Sequence, residues 1–181
     1  YDVALPIDGR APFLPWTAAI YISITPLLLA TALILQRPQR TLPFLGALIF
    51  EVVLAGLSFI LFPVRPPVPP SVDPHTLVGQ VFAIADAMNL TGNCMPSLHV
   101  ALALSCAWAA GRVTRWPARI AFWAWSLGIC LSTWLTWQHW LLDIAGGAVL
   151  AVVAMALVEP NLARWLYATE VRIIGSTSGS D

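Results

Sequence analysis

Apolar residues fill long, nearly unbroken runs of this chain, and polar residues gather in short stretches between them. A helix needs about 20 apolar residues to cross roughly 30 Å of hydrocarbon. Five segments fit: Pro12 to Leu35, Leu42 to Phe62, Pro96 to Ala110, Ile120 to Trp137 and His139 to Val158. The third is short for a full crossing. The pattern therefore predicts an all-α, polytopic transmembrane helical bundle with five spans.

Between the second and third spans lies a long connection, Pro63 to Met95. It opens on Pro63-Val64-Arg65-Pro66-Pro67 and continues through Pro69, Pro70 and Pro74. Proline lacks the amide a helix needs and restricts the residue before it, so this run is not regular helix. Thr76 to Met88 is weakly amphipathic and reads as a helix lying at the membrane interface. With no internal repeat, residues 1–181 read as one membrane-embedded domain, with 63–95 an outer-face loop and 175–181 a flexible Gly/Ser-rich tail.

Composition strengthens the membrane reading. The chain is 59% hydrophobic and 10% charged, against roughly 25% charged in soluble domains. Net charge is zero, so nothing points to a nucleic-acid partner. Cys94, Cys106 and Cys130 show no metal-binding spacing, and no disulfide framework is expected. Every basic residue is arginine. Arg37, Arg40, Arg112, Arg115, Arg119, Arg164 and Arg172 fall on one side of the five spans, and only Arg10 and Arg65 on the other. The positive-inside rule places the larger group in the cytoplasm. The Arg65 loop, the start of span three and the tryptophan-rich junction of spans four and five then share the outer face of the cell membrane.

Ionisable residues at membrane depth are costly and usually functional. Three stand out at the outer edge: His99, His139 and Asp143. Spaced four apart, His139 and Asp143 share a helix face, and the carboxylate can fix the imidazole tautomer and leave Nε2 free. His99 lies in Pro96-Ser97-Leu98-His99, where free amides at a helix start form an anion site. Ser97 adds a hydroxyl, and Arg65 a fork-shaped cation suited to phosphate. Glu51, near the middle of span two, pairs with a hydroxyl, stays protonated or lines a lipid pocket; His75 on the outer loop could meet a head group. Gly146, Gly147, Ala148 and Ala151 form a small face that permits close packing of helices. The rival readings are two structural histidines, or a zinc site built from His139, Asp143 and His99.

Pro-Ser-Leu-His, followed by Ser132-Thr133 and then His139-Trp-Leu-Leu-Asp143, resembles the type-2 phosphatidic acid phosphatase superfamily. Its signatures are a Lys and Arg-Pro element, a Pro-Ser-Gly-His element, and a Ser-Arg, His, Asp element; Arg65-Pro66 matches the end of the first. Leu in place of Gly and Thr in place of Arg look more like the branch containing inositol phosphorylceramide synthase. The resemblance covers about Leu42 to Val158. It implies that His139 is the nucleophile and becomes phosphohistidine, that Asp143 orients it, and that His99 protonates the leaving group. It further implies phosphate contacts from Arg65 and Ser97, and no metal or other cofactor. Members usually have six spans, which implies a helix upstream of Tyr1.

Two departures matter. Where the family has lysine and arginine, Ser58 and Thr133 stand. A phosphate monoester carries about −1.5 to −2 charge, a phosphodiester one negative charge, and phosphoryl transfer depends mainly on positioning and charge stabilisation. Fewer cations suit the diester. The expected function is therefore a membrane lipid phosphotransferase that passes a phosphate-bearing head group from a phospholipid to an alcohol. The alternatives are a lipid phosphate phosphatase acting on phosphatidic acid or a polyprenyl phosphate, and a lipid-binding transporter or scaffold.

Overall fold

The computed structural model describes residues 1, 3–89 and 93–177, with side chains described to residue 169. The side chain of Arg172, part of the Pro63–Met95 connection and the end of the tail lie outside the described residues. After a short 3-10 turn, Asp8–Arg10, come helices α1 (Pro15–Leu35), α2 (Pro38–Leu61), α3 (Leu77–Ala87), α4 (Leu98–Val113), α5 (Trp116–Leu135), α6 (Leu141–Val153) and α7 (Glu159–Thr177). All named elements among the described residues are helical.

Three helical stretches are long and apolar enough to cross a membrane by length and composition: Pro15–Leu35, Pro38–Leu61 and Leu141–Thr169. Many of their large apolar side chains face outward, among them Leu33, Ile49, Ile60 and Val149. An outward face of this kind belongs in lipid, and the chain is a membrane protein. The other two expected spans differ in kind. α4 has 16 residues, about 24 Å at 1.5 Å per residue. α5 has 20 residues, but Trp, Ser, Thr and Arg119 dilute its apolar character.

α4 is the central helix, packed against α1, α2, α5 and α6. Its small buried residues, including Ala101, Ala103, Ala107 and Ala110, let the neighbouring backbones come close. Leu27, Phe44, Ala47, Cys106, Phe122, Ile129 and Met155 fill the core beside it. Glu51 is fully buried there and accepts a 2.5 Å hydrogen bond from Ser105 Oγ, so the hydroxyl pairing is the role found. α3 forms where an amphipathic helix is expected, capped by Thr76 Oγ1 accepting from the Gly79 amide at 3.0 Å. Its buried face, Phe82 and Ala85, meets Ala18 and Tyr21 of α1.

The last expected span was to end at Val158, before Glu159-Pro160. Instead the helix widens into a π-helical turn, Ala154–Val158, and continues as α7 to Thr177. Proline removes one ladder bond, and a π-bulge is a common way for a helix to absorb such a gap. At this end Arg112 pairs with Glu159 at 2.8 Å. Arg40, Arg112 and Glu159 line one cavity of about 280 Å³. Arg40 in the first turn of α2 and Arg112 in the last turn of α4 therefore share one end of the bundle; His99 begins α4 at the other.

Candidate active site

His139 sits in the turn between α5 and α6, not on a helix. The turn is made by Trp137, whose φ of 55° is left-handed, an uncommon state for a residue with a Cβ. The carbonyl of Thr133 accepts both the Gln138 amide at 3.0 Å and the His139 amide at 3.1 Å. Trp137 is held by Nε1 donating to the Ala11 carbonyl at 3.3 Å and by edge packing on Phe13. The expectation that His139 opens the last helix is thus corrected. Trp140 is the N-cap, and Asp143 occupies the third helical position.

Asp143 earns that position by capping. Its Oδ2 accepts the Trp140 amide at 2.9 Å, a favourable place for a carboxylate at the positive end of the helix dipole. The same Oδ2 lies 3.7 Å from His139 Nδ1. That is longer than a hydrogen bond, yet close enough to stabilise a positive imidazole in this buried place. Asp8 reinforces the helix start, with Oδ1 accepting from the Leu141 amide at 3.1 Å and from Trp134 Nε1 at 3.0 Å. Sequence patterning missed Asp8, which lies in an ordinary polar stretch.

α4 brings in the second histidine. Ser97 is its N-cap, and His99 its second residue. The Ser97 amide, expected at the phosphate, donates to the Asp143 carbonyl at 2.9 Å. The Ser97 hydroxyl is buried without a partner among the described residues. α6 can approach this closely because Gly147 has no side chain; a Cβ there would run into the Ser97 carbonyl and Val100. The small face of α6 therefore seats Asp143 against the start of α4. The His99 and His139 rings stand 6.3 Å apart between centroids.

His99 is held by a residue that sequence patterning read only as part of an apolar run. The Tyr21 ring stacks on the imidazole at 4.1 Å, and the phenol oxygen lies 3.1 Å from His99 Nδ1. Tyr21 donates its own proton to Asn89 Oδ1 at 3.1 Å. Its oxygen is thus left to accept from Nδ1–H, which places the lone pair of a neutral His99 on Nε2. Asn89 Nδ2 donates in turn to Gln138 Oε1, and Gln138 Nε2 to Asp86 Oδ1 at 3.4 Å. No motif announces Tyr21, Asn89 or Gln138. The only signal is that polar side chains flank the two histidine segments.

Arg65 is exposed and lines a cavity of about 410 Å³ with Asp86, Asn89 and Gln138. His139 opens onto a smaller cavity of about 120 Å³ among Asp8, Trp134, Trp137 and Trp140; Pro67 borders both. Arg65 is fixed through its backbone, its carbonyl accepting Trp140 Nε1 at 2.9 Å. The arginine thus sits in the neighbouring cavity and is not brought against His139. His75, whose amide donates to Asp73 Oδ1, stays exposed in the turn before α3.

One further side chain joins the centre. Ligand atoms of Cys94, His139 and Asp143 all lie within 4.8 Å of one another, and all three residues are buried. The expected zinc rival used His99; the structure brings Cys94 instead. Burial pushes the Cys94 thiol up to about 12, and the Asp143 charge adds to the shift, so the thiol is not a nucleophile at neutral pH. Unpartnered among the described residues are both His139 nitrogens, Asp143 Oδ1, Ser97 Oγ and Asn93 Oδ1.

A two-histidine, one-carboxylate centre at the meeting of two helix starts matches the order of motifs in the sequence. The profile of the PAP2 superfamily matches residues 7–157. The chain belongs to the PAP2 superfamily. No curated protein and no solved structure matches it. PAP2 superfamily proteins are generally phosphatases and phosphotransferases, and membership suggests chemistry of that class for this chain. The two departures from the PAP2 pattern are both occupied. Ser58 Oγ donates to the Met95 carbonyl at 2.9 Å, and Thr133 Oγ1 to the Cys130 carbonyl at 2.7 Å.

Proposed function

We propose that this PAP2 superfamily chain is a membrane lipid phosphotransferase working through a phosphohistidine at His139. The observation that carries the reading is the pair of neighbouring imidazoles, 6.3 Å apart between centroids, with Asp143 beside one of them. His139 Nε2 attacks phosphorus, and the bond to the leaving oxygen breaks. His99, protonated, gives its proton to that oxygen. An alcohol then passes its proton to His99 and attacks phosphorus, and the phosphorus–nitrogen bond breaks. Asp143 orients His139 and stabilises its positive charge; closing 3.7 Å to a hydrogen bond takes less than about 1 Å, and such bonds often tighten only with substrate. The Ser97 hydroxyl contacts the phosphate group, and Arg65 reaches it from the neighbouring cavity across Pro67 once substrate is bound. The step needs no metal ion.

The donor is a phosphodiester lipid. Ser58 and Thr133 spend their hydroxyls on backbone carbonyls and bring no charge. Arg10 is exposed and is not among the residues around the His139 cavity. A site this poor in cations suits a donor with one negative charge, as in the inositol phosphorylceramide synthase-like branch. α4 and α5 are the two remaining spans, giving five in this chain and six in the family pattern. The active site faces away from the cytoplasm, opposite the arginine-rich end.

The test is incubation of the purified chain with a panel of phospholipids and lipid phosphates, with and without alcohol acceptors. Free phosphate, released head group and new lipid are measured together. The expected outcome is a new phosphodiester lipid that requires the acceptor. Release of phosphate from phosphatidic acid with no turnover of any diester would replace this reading with a phosphatase. Binding without turnover would leave a transporter or scaffold.

A further inference from the structure

We propose that Cys94, His139 and Asp143 form a binding site for a thiophilic divalent cation of the zinc type, whose occupancy switches off the phosphoryl-transfer centre. The three residues come from different places: Cys94 from the connection ahead of α4, His139 from the α5–α6 turn and Asp143 from the first turn of α6. Cys94 and Asp143 are fully buried and His139 is 2% exposed. Their ligand atoms lie within 4.8 Å of one another, with His139 Nδ1 and Asp143 Oδ2 at 3.7 Å. Zinc with bonds of about 2.0–2.3 Å holds tetrahedral neighbours about 3.3–3.7 Å apart. The imidazole–carboxylate pair is within about 0.4 Å of its separation in such a site, and a contraction of about 1 Å brings in the thiol.

A second observation points the same way. His139 Nδ1, His139 Nε2 and Asp143 Oδ1 have no hydrogen-bond partner among the described residues, and buried polar atoms are seldom left so. A cation would satisfy an imidazole nitrogen and a carboxylate oxygen together. The donor set selects among cations. One thiolate and one imidazole favour zinc over magnesium or calcium, which prefer oxygen alone. Of the three residues, His139 also lines the cavity of about 120 Å³.

The consequence for the reaction follows from the imidazole. On binding, the cation displaces the thiol proton to solvent and takes one nitrogen lone pair. Neutral imidazole has a single lone pair. If the metal takes it at Nδ1, the proton sits on Nε2 and attack on phosphorus is lost. If the metal takes it at Nε2, the nucleophile is covered. Either way bound zinc inhibits. This last step rests on His139 being the nucleophile; the binding itself does not.

The experiment equilibrates the purified full chain with zinc chloride, desalts it and measures retained metal. Cobalt(II) substitution is followed by its near-ultraviolet thiolate charge-transfer band. The expected result is one zinc per chain and a cobalt–thiolate band, with Cys94→Ala losing the band and binding zinc at least tenfold more weakly. Zinc should inhibit turnover by the unaltered chain, and Cys94→Ala, measured against its own zinc-free rate, should lose that inhibition. Cys94→Ser serves the same test if the alanine variant does not fold. No retained zinc, or equal zinc binding in the unaltered chain, Cys94→Ala and His139→Ala, overturns the proposal. Metal uptake is read without turnover, so failure of the phosphotransferase reading leaves this result standing, and the converse also holds.

Discussion

Around His99 the polar side chains bond one another, from Tyr21 through Asn89 to Gln138. Around His139 the buried polar atoms stand apart, with both imidazole nitrogens, Asp143 Oδ1 and Ser97 Oγ unpartnered among the described residues. Each unsatisfied buried polar group costs about 1–3 kcal/mol. A fold keeps several of them together only where something else is gained, which is the pattern expected of the proposed site. The His99 half is a self-sufficient frame. The His139 half leaves its polar atoms available, as the proposed function requires.

The largest expected effect separates the two halves by what each loses. Tyr21 is fully buried, stacked on His99 and packed in a cluster with Phe82 and Ala85. Tyr21→Ala should cost about 3–5 kcal/mol of stability, as for other large aromatic truncations. With His139 the nucleophile, as proposed, His139→Ala should lower turnover by several orders of magnitude, while costing only about 1 kcal/mol, since no hydrogen bond of the ring among the described residues is broken. Thermal unfolding in detergent and lipid turnover, measured side by side, check this. Equal losses of stability in the two variants would erase the distinction between frame and reacting group.

A smaller effect probes how the halves are brought together. A Cβ at Gly147 would meet the Ser97 carbonyl, a backbone atom with little freedom to move. Gly147→Ala should push α6 away from the start of α4 and shift Asp143 and His139 relative to His99. Displacement of about 1 Å can cost about 10²-fold in rate. The expected outcome is that loss in kcat with the chain still folded. Unaltered kcat would mean that the approach of the two helix starts does not set the site.

The helices were legible in the sequence wherever lipid dictates the residues. The spans of α1 and α2 follow from unbroken apolar runs, and α3 from its amphipathic pattern. The continuation of α7 past Pro160 was not legible, because the π-turn that accommodates proline is a backbone adjustment with no residue signature. Motif spacing singled out His99, His139 and Asp143, but for a partly mistaken reason. His139 and Asp143 are neighbours through a left-handed turn at Trp137 and a helix cap, not through one continuous helix face. Tyr21 was hidden because a tyrosine in an apolar run looks like any interfacial aromatic until its partner is seen. Cys94 was hidden because spacing rules for metals look for ligands close in sequence, and Cys94 lies far ahead of the neighbouring His139 and Asp143.

The smallest expected effect tests whether the frame acts on the chemistry or only supports it. Tyr21→Phe keeps the ring, the stacking on His99 and the packing against Phe82, and removes one oxygen. That oxygen accepts from His99 Nδ1–H and donates to Asn89 Oδ1. Without it the imidazole keeps its plane but loses the bond that fixes which nitrogen carries the proton. Asn89 is only partly affected, because its amide nitrogen still reaches Gln138. The lost bond is worth about 1 kcal/mol, or about fivefold in rate. On the proposed mechanism the reduction should fall on kcat, because His99 would give its proton only in the transition state, and KM should stay where it was. A rise in KM at constant kcat would assign Tyr21 to substrate binding, and no change in either would leave it a packing residue of α1.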